Sequence, residues 1–287
     1  GERLGFGRLF IPEIPGGRDA VATLSALADV AGGIGLATGI LPMTAREPLV
    51  TAMAATTLQE RSGGRFVLGL GTGPAAPGAL ARLGDLVAVL RGLLRGEAVE
   101  VDGRRLRLSS PPEPPPPIWL SALGPRAVRL AGAVADGVLL NWCTPERVAA
   151  ARAELAEGAL KAGRDPGDIA IGAYIRACLA PDEAAALAAM RVSAGEYASI
   201  PAYRRQAAAL GLGAEADAAA AAFRGGRPDQ VPEGFVRALG LLGDGEAARA
   251  RIARFREAGL TLPIVYPVAT ADAVGSTLDT LRALAPA

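Results

Sequence analysis

Apolar positions recur along this chain with two periods, one suited to strands and one to helices, and the two alternate. Gly7 to Pro12 (GRLFIP) reads as a strand, and Gly33 to Ile40 (GIGLATGI) as the next. Between them Asp19 is placed to N-cap a helix in which Val21, Leu24, Leu27 and Val30 fall at helical spacing. Glu47-Pro48 opens a helix that runs to Ser62 and stops at Gly63-Gly64, where glycine supplies the left-handed C-cap. Arg65 to Gly71 (RFVLGLG) is again a strand, and a helix from about Gly78 to Arg95 leads to a hairpin, Val99 to Leu108, whose turn is Asp102-Gly103. Beyond the proline-rich Pro111 to Pro117, strands are predicted at Ile118 to Ala122, Gly137 to Asn141 and Ile169 to Leu179. Helices at Pro125 to Val134 and Pro145 to Ala162 separate them. From Pro181 to Ala258 the pattern is helical and Ala-rich, before a last strand, Leu262 to Pro267, and a last helix, Ala271 to Leu284.

Strand-helix alternation implies a parallel sheet and the α/β class. Seven sheet strands are one short of a (β/α)8 TIM barrel. The reading is a single barrel domain over 1–287, with a helical insertion at about 181–258 ahead of the last strand. Gly1 to Phe6 reads as the tail of a helix entering a strand, so the first strand of the barrel is expected to be missing; Gly73 to Gly78 is short for the loop it forms.

Composition narrows the chemistry. Lys and Arg number 30 against 29 Asp and Glu, spread along the chain, so no basic footprint favours nucleic acid or a membrane surface. The longest charge-free stretches, Val30 to Ala45 and Phe66 to Ala81, are broken by Gly and Pro and too short for a bilayer. No leader pattern opens the chain, and Cys143 and Cys178 are too few for a disulfide framework, so a reducing cytoplasm and buried thiols are expected. Histidine is absent. That removes Ser-His-Asp triads, Cys-His pairs and His-based metal sites, and no metal centre is predicted. A cofactor or carboxylates must carry any reaction.

Barrel chemistry sits just beyond the carboxyl ends of the strands. The residues there are few and mostly small: Glu13; Thr38, Gly39 and Ile40; Thr72 and Gly73; Ser121 to Arg126; Asn141, Trp142 and Cys143; Arg176. Such a lining suits a flat aromatic ring held by backbone contacts and does not suit paired catalytic acids. Pro125 at a first helical position leaves Gly124 and Arg126 at a helix N-terminus, where free amides, the dipole and a guanidinium attract a phosphate. Arg46 and Arg65, near element ends, read as solvated.

These segments carry a resemblance. TGILPMTAREPLVTAMAATTLQERSGGRFVLGLGTG, PPIWLSALGPRAVRLAGAVADGVLLN and LLGDGEAARARIARFREAGLTLPIV together resemble the luciferase-like superfamily of flavin and deazaflavin oxidoreductases. The likeness covers nearly the whole chain from Leu4 and is greatest to the deazaflavin-dependent reductases and dehydrogenases of actinobacteria and methanogens. It implies coenzyme F420 as cofactor, with FMN the alternative, and hydride transfer at the deazaflavin C5 to or from a small organic substrate. It places a non-proline cis peptide between Gly39 and Ile40, behind the ring, with Thr38 beside it. Thr72 and Gly73 match positions that meet the ring edge or ribityl chain, or form a plain glycine turn. Ala122, Leu123, Gly124 and Arg126 match the phosphate-holding stretch, and Asn141 closes the opposite side.

Two residues are candidates for catalysis under the same resemblance. Glu13 orients substrate or cofactor or acts as an acid, or is a surface carboxylate. Trp142 stacks on ring or substrate, or packs in the core. The rival within the family is an FMN-dependent monooxygenase, which the lack of histidine weakens; a cofactor-binding homologue without turnover is the other. A homodimer is expected from relatives. The substrate is not legible.

Overall fold

The computed structural model describes residues 1–73 and 76–286; Pro74 and Ala75, within the segment read as a short loop, lie outside the described residues. Its elements are β1 (Arg8–Ile11), α1 (Ala20–Ala28), β2 (Gly35–Thr38), β3 (Leu41–Pro42), α2 (Pro48–Arg61), β4 (Phe66–Gly71), α3 (Ala79–Leu94), β5 (Val99–Val101), β6 (Arg104–Leu106), β7 (Ile118–Ser121), α4 (Pro125–Val134), β8 (Gly137–Asn141), α5 (Pro145–Lys161), β9 (Ala170–Cys178), α6 (Glu183–Ala198), α7 (Pro201–Ala209), α8 (Gly213–Arg224), α9 (Glu233–Leu239), β10 (Leu241–Leu242), α10 (Gly245–Glu257), β11 (Leu262–Pro267) and α11 (Ala273–Ala283). The chain divides into two compact units: Gly1–Leu139 with Glu154–Ala170, and Leu140–Ala153 with Ile171–Ala287.

In the first unit, β1, β2, β4, β7 and β8 pair in that order, all parallel, as a βα alternation requires. The registers Leu9↔Leu36, Ala37↔Val67, Leu70↔Leu120 and Leu120↔Val138 run through a ladder whose central strands are buried on both faces. That is why β2 and β4 read as unbroken apolar and glycine runs. Leu58, Leu83 and Leu90 of the helices are buried in the same core. Local signals are realised as read: Asp19 accepts the Ala22 amide at 2.8 Å, Pro48 and Pro125 open α2 and α4, and Gly63 and Gly64 turn left-handed after α2. Asp102 and Gly103, with φ of 49° and 72°, turn the β5–β6 hairpin.

The second unit is organised on β9, with which β10 and β11 pair in parallel. Here α6, α7, α8 and α9 form a helical array whose core is mostly small: Ala186, Ala194, Ala216, Ala219 and Ala220 surround Met190, Phe235 and Val236. Small side chains bring the helix backbones close. At Gly195 even a Cβ would stand 2.8 Å from that of Phe223.

Three expectations are corrected. The strand read as Gly33 to Ile40 is interrupted: β2 ends at Thr38, Gly39 and Ile40 form a bulge, and pairing resumes with β4 at Leu41. The stretch read as wholly helical between Pro181 and Ala258 contains β10, whose two residues give too short a run to show a period. With β3 in the first unit and β10 in the second, nine strands take part in parallel pairings among the described residues, where seven were read. Among the described residues no helix is long and apolar enough to cross a membrane.

Candidate functional site

In the first unit the candidate residues gather at the carboxyl ends of β2, β4 and β7. The Gly39–Ile40 peptide bond is cis, at the position the resemblance implied. The bulge is tied down on both sides: Gly39 N–H donates to the Ile11 carbonyl at 2.8 Å, and the Ile40 carbonyl accepts the Glu13 amide at 3.1 Å. Thr38 is fully buried and spends its hydroxyl on β4, donating to the Gly69 carbonyl at 3.0 Å and accepting the Gly69 amide at 2.8 Å. Its role in the structure is therefore to clamp two strand ends together.

The alternating glycines of β4 follow from that clamp. A Cβ at Gly69 would stand 2.1 Å from the Thr38 carbonyl oxygen. At Gly71 it would meet Ser121 Oγ at 2.5 Å and Ile40 Cδ1 at 2.8 Å. Ile40 and Ser121 thus converge over Gly71, and both are part-exposed, as are Thr72, Gly73 and Leu123. The result is a ledge of small, uncharged groups. Thr72 Oγ1 donates to the Gly73 carbonyl at 3.1 Å, and Gly73 takes φ 69°.

Ala122, at the end of β7, is buried and its amide donates to the Leu139 carbonyl at 3.1 Å. Gly124 then N-caps α4 in an extended conformation without a side-chain cap, and Gly124, Pro125 and Arg126 are exposed. An uncapped helix start with a guanidinium on its first turn has the free amides and charge that attract an anion. Glu13, by contrast, is engaged. Its Oε2 accepts the Ala20 amide at 3.0 Å and pairs with Arg46 Nη2 at 3.0 Å, and that same nitrogen bonds Asp19 Oδ2 at 2.5 Å. Arg46, read as solvated, is thus held by two carboxylates, whose hydrogen bonds and charge raise its pKa; the Ala22 amide and Arg46 lower that of Asp19.

The second unit holds Asn141 and Trp142, and with them Arg176, which the sequence placed at a strand end but to which it assigned no role. Arg176, near the end of β9, is 2% exposed and stands among four rings, with its guanidinium carbon 3.9 Å from the Tyr266 centroid and 5.1–5.6 Å from those of Tyr197, Trp142 and Tyr174. It donates to Asn141 Oδ1 at 2.8 Å and to the Tyr197 hydroxyl at 3.0 Å. Asn141 Nδ2 in turn donates to the Tyr203 hydroxyl at 2.8 Å. Trp142 takes φ 48° and is buried against Tyr197, with its indole N–H unpartnered. Burial pushes the Tyr203 hydroxyl up to about 12 and the Cys143 thiol likewise to about 12, so both stay protonated at neutral pH. Cys143 and Cys178 are buried free thiols. The available signal for Arg176 was a charge inside the apolar run IGAYIRACL.

Comparison with known proteins agrees with this architecture. The profile of the luciferase-like monooxygenase family matches residues 1–262. The 5,10-methylenetetrahydromethanopterin reductase of Methanolobus tindarius is 32% identical over 280 residues, 91% of this chain and 85% of that protein. The F420-dependent glucose-6-phosphate dehydrogenase of Beutenbergia cavernae is 35% identical over 179 residues, 54% of this chain and 52% of that protein. Among solved structures, an F420-dependent secondary alcohol dehydrogenase in complex with an F420-acetone adduct superposes with a TM-score of 0.79 at 20% identity, covering 98% of this chain and 90% of that one, which speaks for the fold. A parallel α/β sheet, a bulged second strand and a family profile spanning most of the sequence lead to one assignment: the chain belongs to the luciferase-like monooxygenase family.

Proposed function

We propose that this chain is a coenzyme F420-dependent oxidoreductase acting on a small organic substrate. The observation that carries the reading is the ledge at the ends of β2, β4 and β7, where Ile40, Ser121, Thr72 and Gly73 present an apolar and hydroxyl surface without a charged side chain. That lining fits one face of a planar heterocycle. The uncapped start of α4 fits its phosphate, with Gly124 admitting close approach and Arg126 adding a charge-assisted partner. The F420-dependent relative, which matches about half of this chain, supports the deazaflavin over a flavin.

Under this reading the cofactor, when bound, supplies hydride chemistry at its C5 carbon. The protein positions and shields. Thr38 fixes the ends of β2 and β4 against each other, so the ledge keeps its shape without rearranging around a ligand. Glu13 and Arg46, locked together with Asp19, hold the turn that precedes α1 and serve orientation rather than proton transfer. Trp142, buried in the second unit, acts through packing.

Fluorescence titration with F420, and with FMN as rival, tests the proposal. Saturable F420 binding that Arg126→Glu weakens by about tenfold, with the melting temperature unchanged, is the expected result. Binding of FMN but not F420 would move the chain to the monooxygenase side of the family. Binding of F420 without oxidation or reduction of any aldehyde, alcohol, enone or imine would mark a cofactor-binding homologue.

A further inference from the structure

The first unit holds a second cluster of backbone donors, at the amino end of β2 and so at the other end of that strand from Gly39 and Ile40. The amides of Gly32, Gly33 and Ile34 follow one another and precede the pairing of β1 with β2, which starts at Arg8↔Gly35. All three turn to one carboxylate. Glu2, on a single helical turn (Glu2–Leu4), accepts Gly32 on Oε2 at 3.1 Å, Gly33 on Oε1, and Ile34 on Oε1 at 3.1 Å. Successive amides aimed at one point form a nest for an anion, and here a carboxylate already sits in it.

Cationic groups border the same place. The nest amides, Gly33 first and Gly32 next, and then the charge of Arg65 hold the Glu2 carboxyl below the ordinary glutamate range. Arg65, immediately before β4, has its Nε buried without an acceptor, and its carbonyl accepts Arg8 Nη1 at 2.9 Å, which draws a second guanidinium towards it. Glycine leaves room for the guest: a Cβ at Gly32 would stand 3.0 Å from Glu2 Oε1, and one at Gly33 3.5 Å from it. Glu2 nevertheless fills the nest incompletely. Three donors share its two oxygens, with Oε1 taking two of them, whereas a tetrahedral oxyanion offers one oxygen to each amide. Glu2, Gly32 and Gly33 are exposed, so solvent ions reach the site.

We propose that the nest at Gly32, Gly33 and Ile34 is a binding site for a phosphate group, which Glu2 occupies as a tethered substitute and yields to the free oxyanion. Backbone amides and a neighbouring guanidinium are the donors that such a group takes. The site lies at the amino ends of the strands, apart from the start of α4, and the inference stands independently of the F420 reading. The β1–β2 pairing keeps Glu2 near the nest, so the carboxylate competes at a high effective concentration and sets the level of phosphate needed to displace it. Exchange frees the Glu2–Leu4 turn from the loop that leads into β2. The nest is thus a latch that phosphate opens.

The test follows the nuclear magnetic resonance signals of the Gly32, Gly33 and Ile34 amides in the isotope-labelled full chain at neutral pH, as inorganic phosphate replaces chloride at constant ionic strength. Glu2→Gln keeps the shape of the side chain and removes its charge, so the three signals should move saturably with an affinity about tenfold higher than in the native protein. Adding Gly32→Ala to Glu2→Gln puts a methyl group against the ligand oxygen and should cancel that gain, with the melting temperature unchanged. Arg65→Met in the same background should weaken phosphate by about threefold. Acetate, planar and with two oxygens, should bind Glu2→Gln about tenfold less tightly than phosphate does. The signals of Gly124 and Arg126 report the start of α4 separately. No saturable movement of the three nest amides in Glu2→Gln would overturn the site. Equal affinities in Glu2→Gln and the native protein would overturn the role of Glu2 as substitute, and acetate bound as tightly as phosphate would overturn the phosphate assignment.

Discussion

The two units present polar groups in opposite ways. At the strand ends of the first unit, backbone and small side chains make the surface, and Gly69 and Gly71 occupy positions where a methyl group has no space. In the second unit large side chains do the same work, with Arg176 holding Asn141 and Tyr197, and Asn141 holding Tyr203. A backbone surface is fixed by the ladder beneath it and fails when something is added. A side-chain network is fixed by its own bonds and fails when something is removed.

The largest effect should come from adding a single carbon to the first. Gly69→Ala puts a Cβ against the Thr38 carbonyl, which is backbone and cannot swing aside, so the ends of β2 and β4 must part. A loss of about 3 kcal/mol or more is expected in urea unfolding. A loss under about 1 kcal/mol would mean that the ledge is soft. Thr38→Val probes the same clamp by removal, because it keeps the shape and strips the Gly69 amide of its acceptor inside the core. About 2 kcal/mol is expected, and weaker F420 binding should accompany it.

Arg176→Met should do less to the second unit's stability, about 1 kcal/mol. It unpairs Asn141 and Tyr197, yet it also relieves the burial of a cation that no carboxylate neutralises among the described residues. Stability near that of the native protein would sharpen the contrast between the units. A loss larger than that of Thr38→Val would erase it.

That contrast also governs what could be read from the sequence. Signals carried by a few neighbouring residues came through: Asp19 as N-cap, Pro125 as helix start, Asp102-Gly103 as hairpin turn, the glycine-rich end of β4. The Gly39–Ile40 bulge came through only by resemblance, since nothing in its composition distinguishes it from a strand end. What stayed hidden depends on partners far apart in the chain. Arg46 meets Glu13 across 33 positions and Asp19 across 27, so nothing local separates it from a solvated arginine. Tyr203 meets Asn141 across 62 positions, and its place in an Ala-rich helix marks it as neither core nor site. The two-residue β10 carries no periodicity to detect.

The smallest expected effect lies where backbone and side chain share one task. Asp19 caps α1 through the Ala22 amide and also meets Arg46, and both bonds hold its carboxyl below the ordinary aspartate range. A carboxyl whose folded pKa is depressed adds stability above its unfolded value, near pH 4, and loses it as the pH falls through the folded value. Asp19→Asn keeps an acceptor for the cap and removes only the charge. With the Asp19 side chain about half exposed and Glu13 still holding Arg46, the difference from the native protein at pH 7 should be about 0.5 kcal/mol. It should shrink in high salt and vanish once the pH is low enough to protonate the native carboxyl. Urea titrations at neutral and acidic pH measure it. A difference that persists in acid would place the contribution of Asp19 in cap geometry instead of charge, and so on the backbone side of the comparison.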